Sequence, residues 1–142
     1  MAAHSPENPI LLVEDNPVDL DLTLRAFNSQ RLSNPVQIAR DGEEALEFIQ
    51  KWEQGDPLPV VILLDLKLPK VNGLEVLQVM KTHLQFKTIP IVVLTTSGES
   101  NDIKQAYRMG ANSYIVKPVD FNKFIEVAKQ IELYWMVLNK PA

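Results

Sequence analysis

The chain has 142 residues, of which 46% are hydrophobic and 23% charged, a composition that favours one globular domain with a buried core. It contains no cysteine, which excludes disulfide bonds, thiolate metal sites and cysteine catalysis. The net charge of -4, the lack of a long apolar run and the polar N-terminus without a secretory signal predict a cytoplasmic protein that binds neither nucleic acid nor membranes.

The first predicted strand and helix lie on either side of an acidic pair. Strand ILLV begins at Ile10, and Glu14 and Asp15 follow it directly. Asn16 and Pro17 are typical of the N-cap and the first residue of a helix. We therefore expect two carboxylates at the turn between the first strand and the first helix.

The second strand and helix repeat this arrangement. Strand VQIA begins at Val36, and Asp41 with Glu44 has the spacing of a capping box at a helix start. Gly55 lies just beyond the predicted end of this helix, where glycine commonly terminates helical winding. The chain thus alternates short β-branched runs with longer amphipathic stretches.

The third strand ends on a carboxylate. The apolar run VVILL begins at Val60 and leads directly into Asp65, while Asn72 or Gly73 begins the next helix. A buried carboxylate needs a partner or a metal ion, or it takes up a proton. Asp65 is therefore a candidate functional residue, although by itself the position also fits a turn residue before Pro69.

The fourth and fifth strands also end at polar residues. Strand IVVLT ends on Thr95, and strand SYIV is followed by Lys117 and Pro118. An amphipathic helix over residues 99–109, ended by Gly110, lies between them. Each of these strands therefore delivers a hydrogen-bond donor to its carboxyl end.

The last helix begins near Pro118 and Asp120 and carries more apolar residues than one face of a sheet requires. One apolar stripe consists of Phe121, Phe124, Ala128, Ile131, Trp135 and Leu138. The surplus predicts a second apolar surface, and surfaces of this kind commonly contact partners. We expect a homodimer through Phe121, Phe124, Tyr134 and Trp135; the alternative is that the tail folds over its own core.

Five strand–helix repeats predict an α/β fold. Continuous apolar strands indicate burial on both faces, as in a parallel sheet covered by helices, and right-handed crossovers then favour a doubly wound sheet. Ligands of such sheets bind at the carboxyl ends of the strands. The polar residues that follow the strands all fall at this edge: Glu14, Asp15, Asp65, Thr95 and Lys117.

This set of residues is suited to phosphoryl transfer with a hard cation. Oxygen ligands such as Glu14 and Asp15, without histidine or cysteine, favour Mg²⁺, which also accepts a phosphate oxygen. Asp65 would be the nucleophile that forms an acyl phosphate. Lys117 and Thr95 would stabilise the charge on the transferred group.

The sequence resembles the receiver domain of two-component response regulators. The similarity rests on LLVEDNP, on ILLDLKLPKVNG with its acceptor Asp65, on VVLTTS with Thr95 and on YIVKP with Lys117, and it runs from about Ile10 to about Tyr134. It implies the flavodoxin-like receiver fold, a five-stranded parallel sheet in order 2-1-3-4-5 with five helices. It also implies one receiver domain over residues 1–142, with its core at about 10–134 and a C-terminal helical extension.

The resemblance assigns roles to the site residues. Asp65 would take a phosphoryl group from a histidine of a sensor kinase, in the presence of Mg²⁺. The metal ligands would be Glu14, Asp15, Asp65 and the backbone carbonyl of Lys67. Thr95 and Tyr114 would form a switch pair, and the bond between Lys117 and Pro118 would be cis. Such a protein is not an enzyme, although it assists its own phosphorylation, and its output is contact with an unknown downstream protein.

A narrower resemblance concerns the segments EDNPVDLDLTLRAF, DGEEALEFI, LTTS and IELYWMVL. They resemble the small single-domain regulators paired with bacterial and cyanobacterial phytochromes, which implies a light-regulated histidine kinase as the phosphodonor. Lys67 and Thr96 would crowd the path of attacking water, so we expect slow autodephosphorylation. The alternative function is a receiver-fold interaction scaffold that works without phosphorylation.

Overall fold

The computed structural model describes residues 8–29, 34–117 and 120–138, and it contains five strands and five α-helices within these ranges. The strands are β1 Ile10–Val13, β2 Val36–Ala39, β3 Val61–Leu64, β4 Ile91–Thr95 and β5 Ser113–Val116. The helices are α1 Pro17–Asn28, α2 Gly42–Glu53, α3 Gly73–Thr82, α4 Ser100–Arg108 and α5 Phe121–Ile131, and α5 continues as a π-helical segment, Glu132–Leu138. No helix in these ranges has the length and apolar character needed to cross a membrane.

The strands form one parallel sheet in the order β2-β1-β3-β4-β5, which confirms the predicted doubly wound topology. The chain passes from β1 through α1 to β2 and then returns to the other side of β1 with β3. This reversal of strand order is the place where such sheets bind ligands. The β1–β3 register pairs Val13 with Leu64, so Glu14 and Asp65 emerge side by side at this point.

Two hydrophobic cores cover the two faces of the sheet, because side chains alternate along each strand. Leu11, Ile62 and Val93 belong to one core, together with Trp52 of α2 and buried side chains of α3. The opposite core contains the alternate strand residues together with buried side chains of α1 and α5. Burial on both faces explains why β1, β3 and β4 read as continuous apolar runs.

The predicted helix boundaries are confirmed, with one difference in detail. Asp41 caps α2 by accepting a hydrogen bond from the Glu44 N–H at 2.8 Å. The Glu44 carboxylate accepts from the N–H of Arg40 and not from that of Asp41, so the capping box is shifted by one residue. Gly55 and Gly110 both have φ of 104° just past the ends of their helices, a conformation that favours glycine.

The apolar stripe of the last helix covers the chain's own sheet. Phe124 and Trp135 are only 2% and 9% exposed, and with Ala128 and Ile131 they belong to the core that α1 also covers. Phe121 and Tyr134 are 39% and 50% exposed. The four residues expected at a dimer interface therefore separate, with Phe124 and Trp135 in the protomer core because they face the sheet; the side chain of Leu138 lies outside the described part.

Candidate functional site

Three acids converge where β1 and β3 end. Glu14 is 2% exposed and Asp65 is 8% exposed, whereas Asp15 faces solvent. One carboxylate oxygen from each of the three lies within 4.8 Å of the other two. A set of oxygen donors with one exposed member matches the ligands of a hard divalent cation that keeps several waters. These residues could therefore hold such an ion.

Lys117 brings a positive charge to this acidic group from the end of β5. Its backbone N–H donates to the Thr95 carbonyl at 2.7 Å, which holds its Cα beside the end of β4. Its ammonium is buried and donates to Asp65 Oδ2 at 2.9 Å, to Asp19 Oδ2 at 3.0 Å and to Glu14 Oε1. The lysine thus joins strands β1, β3 and β5 through ion pairs that are largely shielded from water.

Burial and mutual hydrogen bonding shift three pKa values. Burial alone would lower the pKa of Lys117, but its hydrogen bonds to Glu14 and Asp65 raise the pKa above its usual value. Burial opposes ionisation of Asp65, yet the hydrogen bond from Lys117 leaves the pKa of Asp65 below its usual value. Desolvation prevails at Glu14 and raises its pKa to about 7. Lys117 is therefore charged, and a divalent cation would keep all the carboxylates ionised.

The second oxygen of Asp65 is held by two donors. Thr95 Oγ1 donates to Asp65 Oδ1 at 2.9 Å, and the Lys67 N–H donates to the same oxygen at 3.1 Å. Thr95 is fully buried at the end of β4, whereas the Lys67 side chain is exposed. Both oxygens of Asp65 are thus oriented before any ligand arrives, which favours reaction at a defined position.

Tyr114 lies on β5 near this group without touching it. Its half-buried ring packs against the core on the α2–α3 side, and its hydroxyl donates to the Ser97 carbonyl at 2.7 Å. The Ser97 hydroxyl in turn donates to the carboxylate of Asp102 in the first turn of α4. Tyr114 is therefore connected to the loop that follows Thr95, and through it to the start of α4.

The loop after Asp65 is fixed against the starts of two helices. A Cβ at Gly73 would lie 2.3 Å from the carbonyl oxygen of Asp65, and a Cβ at Gly42 would lie 1.8 Å from that of Val71. Lys70 has a φ of 67°, in the left-handed region that costs energy for a side-chain-bearing residue, and its ammonium lies 3.4 Å from the Asp41 carboxylate. These close approaches hold the backbone of the segment that carries Lys67.

The structure brings together the five polar residues that the strand ends indicated, and it adds two that sequence reasoning missed. Asp19 contacts Lys117 because it lies in the first turn of α1, which begins directly at the acidic edge. Its position four residues after Asp15, in the predicted first turn of the helix, could have indicated that it lies near this edge of the sheet. Ser97 contributes mainly its backbone carbonyl, for which the sequence has no signal. Pro118, with its expected cis bond, lies outside the described residues.

This geometry can bind a divalent cation and present an oriented carboxylate to an electrophile. The cation would be held by the three acids, while Lys117 donates to one oxygen of Asp65 and Thr95 donates to the other. Such an arrangement stabilises the negative charge on a phosphoryl group in transfer.

Comparison with known proteins gives a consistent result. A family model described as the response regulator receiver domain matches residues 10–129. The probable methanogenesis regulatory protein FilR2 of Methanothrix harundinacea is 41% identical over 132 residues, which are 92% of this chain and 85% of that protein. The match with FilR2 therefore spans most of the length of both proteins.

Two response regulators, one of them described as a cyanobacterial phytochrome response regulator, are similar in structure as well. The structure of the phosphorylated cyanobacterial phytochrome response regulator RcpA aligns with a TM-score of 0.87 and 35% identity, covering 96% of this chain and 99% of that one. Response regulator Rcp1 of Synechocystis is 37% identical over 136 residues, which are 93% of this chain and 91% of that protein. Its Mn²⁺-bound structure aligns with a TM-score of 0.85 and 36% identity, covering 95% of this chain and 99% of that one.

Proposed function

Because the chain belongs to the response regulator receiver domains, which are signalling proteins of two-component systems, we propose that Asp65 accepts a phosphoryl group from a histidine of a sensor kinase. The observation that carries this proposal is the environment of the Asp65 carboxylate. Lys117 binds one of its oxygens, Thr95 binds the other, and two further acids lie within reach of a shared cation.

The reaction is a transfer between two nucleophiles. An oxygen of Asp65 forms a bond to phosphorus, the bond between phosphorus and the histidine nitrogen breaks, and its electron pair stays on the imidazole. The product is an aspartyl phosphate, an acyl phosphate that water can later hydrolyse. Lys117 and Thr95 would donate to the phosphoryl oxygens as their charge develops.

Mg²⁺ is the proposed cofactor. Its ligands would be Glu14, Asp15, Asp65 and the backbone carbonyl of Lys67. The donor set is all oxygen, and receiver domains bind divalent metals, as the Mn²⁺-bound structure of Rcp1 illustrates. When bound, the ion supplies positive charge that offsets the repulsion among the acids and the phosphoryl oxygens.

A phytochrome-type histidine kinase is the proposed phosphodonor. Support comes from the similarity to RcpA and Rcp1, which extends over nearly all of this chain, including its C-terminal helix. Receiver domains of phytochrome response regulators partner with histidine kinases.

The response to phosphorylation would pass from Thr95 to Tyr114. Thr95 already donates to Asp65, and Tyr114 donates to the carbonyl of Ser97, two residues after Thr95. Movement of the Thr95 hydroxyl toward a phosphoryl oxygen would therefore alter the loop that Tyr114 contacts. This loop leads into α4, whose outer surface would carry the change to a downstream protein.

A second copy of the chain is the other proposed partner. Phe121, Leu133 and Tyr134 are large, exposed and apolar, and all three lie on the last helix or its π-helical continuation. Exposed apolar groups on one element are typical of association surfaces. Phe124 and Trp135 would support this surface from the protomer core.

The lifetime of the aspartyl phosphate is proposed to be long. The side chains of Lys67 and Thr96 are both exposed; the backbone N–H of Lys67 binds Asp65, and Thr96 directly follows Thr95, which binds it too. They would hinder the approach of water to the phosphoryl group. Dephosphorylation rates of Lys67→Asn and Thr96→Ala test this: faster hydrolysis supports the role, and unchanged hydrolysis refutes it.

The decisive experiment measures incorporation of phosphate. The full chain with Mg²⁺ is mixed with acetyl phosphate, or with autophosphorylated histidine kinases, and the acid-stable and acid-labile label is quantified. Wild type and Asp56→Asn, which changes an exposed carboxylate after α2, should be labelled, whereas Asp65→Asn should not. Wild type that takes no label from any donor would instead support the unphosphorylated scaffold.

A further inference from the structure

Asp19 has no role in the chemistry considered so far, yet it contacts the buried lysine. We propose that Asp19 is a positioning residue that holds the ammonium of Lys117 in place while Asp65 is phosphorylated. This inference rests on the proposed phosphorylation of Asp65. It assigns to the first turn of α1 a part in the reaction that occurs at the end of β3.

The ammonium of Lys117 has three N–H donors and three carboxylate partners. It bonds to Asp65 Oδ2 at 2.9 Å, to Asp19 Oδ2 at 3.0 Å and to Glu14 Oε1, so every donor is occupied. The lysine side chain is only 3% exposed, which excludes water as a regular substitute partner. A phosphoryl oxygen can therefore bind Lys117 only if one of these bonds is given up.

The three carboxylates differ in what else they can bind. Glu14 and Asp65 belong to the group of acids whose oxygens lie within 4.8 Å of one another, and Asp19 does not. A cation would draw on Glu14 and Asp65, and phosphorylation would convert Asp65 itself into an acyl phosphate. Among the described residues, Asp19 is thus the one carboxylate that contacts Lys117 and that would bind neither the cation nor the phosphoryl group.

The backbone of Asp19 is well fixed for this purpose. Its N–H donates to Asn16 Oδ1 at 3.1 Å, and its carbonyl accepts from Thr23 Oγ1 at 2.8 Å. Pro17 restricts the backbone at the first position of the same helix. The Asp19 side chain is 27% exposed, so it holds Lys117 from the solvent side while the sheet holds it from the other.

A lysine side chain is flexible, and its point charge gains from being oriented by fixed partners. Without the Asp19 carboxylate, the ammonium would lose its one constant partner when Glu14 and Asp65 are engaged elsewhere. The remaining donors would then be poorly directed toward the phosphoryl oxygens. We expect phosphorylation to slow, even though removing a negative charge would by itself favour an anionic donor.

The test compares Asp19→Asn with Asp21→Asn. Asp21 is an exposed acid of the same helix that pairs with Arg25 at 3.0 Å, so its replacement removes the same charge without touching Lys117. Phosphorylation from acetyl phosphate is measured at saturating Mg²⁺. We expect Asp19→Asn to be slower by on the order of tenfold, Asp19→Glu to recover part of the loss, and Asp21→Asn to match wild type.

A second readout needs no phosphorylation. In protein labelled with ¹⁵N-lysine, the Lys117 ammonium should give a cross-peak that exchanges slowly with water, because all three donors are bonded. Addition of Mg²⁺ should leave that peak visible in wild type and Asp21→Asn and abolish it in Asp19→Asn. A purely structural role of Asp19 in α1 would not produce this dependence on Mg²⁺.

The outcomes separate this inference from the proposed function. If wild type is labelled and Asp19→Asn is labelled equally fast or faster, the positioning role is overturned while phosphorylation stands. A Lys117 peak that is unaffected by Asp19→Asn with Mg²⁺ present overturns it as well. If wild type is not labelled by any donor, the proposed function fails and this inference fails with it.

Discussion

Thr95 donates a 2.9 Å hydrogen bond from its hydroxyl to Oδ1 of Asp65, which ties the end of β4 to the end of β3. The donor is fully buried, and the acceptor is the carboxylate proposed to react. The hydroxyl therefore already has a partner in the unphosphorylated protein, and on the proposed phosphorylation it would exchange this partner for a phosphoryl oxygen. This exchange is open to direct test.

Thr95→Val should remove the hydroxyl while keeping the shape of the side chain. Loss of a buried hydrogen bond to a charged group should lower the free energy of unfolding by about 1–3 kcal/mol and slow phosphorylation of Asp65. Thr95→Ser retains the donor and should be close to wild type in both. Urea denaturation and labelling from acetyl phosphate measure the two effects; a fast, stable Thr95→Val would contradict the role.

Lys117→Met should destabilise the protein and make its stability depend more strongly on Mg²⁺. Removal of the ammonium leaves buried carboxylates without their cation, at a cost of about 3–5 kcal/mol. Mg²⁺ neutralises the same carboxylates, so millimolar Mg²⁺ should raise the unfolding free energy more in Lys117→Met than in wild type. Lys104→Met, at an exposed side chain of α4 outside the site, is the control. Equal effects of Mg²⁺ on all three proteins would disprove the shared role.

Metal-free protein should lose stability as pH rises through about 7, owing to Glu14. Its folded pKa of about 7 exceeds the ordinary value of 4.5, so folding takes up a proton between these pH values. The resulting stabilisation is complete below pH 4.5 and is lost above 7. Urea denaturation in a chelator at pH 5 and pH 8 should show wild type losing stability relative to Glu14→Gln. Parallel pH profiles for the two proteins would rule this out.

Gly73→Ala should disturb the acceptor directly. The added Cβ would lie 2.3 Å from the Asp65 carbonyl oxygen and 2.4 Å from Leu66 Cα, both far inside contact distance. We expect a loss of about 2 kcal/mol or more in unfolding free energy, and slower phosphorylation of the folded protein. Gly98→Ala, whose Cβ would lie 3.6 Å from Val116 Cγ2, should be neutral. Thermal unfolding of the two variants measures this difference in stability, and equal stability would contradict the predicted clash at Gly73.

Tyr134→Glu should dissociate the proposed dimer without unfolding the protomer, because Tyr134 is half exposed. Leu84→Glu replaces an 86% exposed leucine on the α3–β4 loop and should leave association unchanged. Sedimentation over a range of concentrations measures both. Wild type that stays monomeric at high concentration would exclude the dimer. Trp135→Glu is unsuitable for this purpose, since Trp135 is buried in the protomer core.

The fold could be predicted closely because local signals and topology agree. Four strands have the expected bounds, and β3 begins one residue later, although the Val60 N–H already bonds the Pro9 carbonyl at 2.9 Å. Asn16, Asp41, Asn72 and Asp120 all cap helices through their side chains. Short-range chemistry of this kind is visible in a sequence.

The site could be predicted only as far as strand ends reveal it. Glu14 and Asp65 follow paired strands, so topology alone places them together. The contact between Asp19 and Lys117 depends on the orientation of a helix turn and of a long side chain. Neither orientation leaves a periodic pattern in the sequence. The separation of Trp135 from Tyr134 has the same origin, because an almost wholly apolar tail does not reveal which side faces the sheet.

The two tryptophans of the chain lie on opposite faces of the sheet, Trp52 in one core and Trp135 in the other. Each layer of the molecule therefore carries its own intrinsic fluorophore. With one indole replaced by phenylalanine at a time, emission would follow the melting of either layer separately. The same two variants would show whether metal binding or phosphorylation at the strand ends changes the emission of the tryptophan in the α2–α3 core, of the one in the α1–α5 core, or of both.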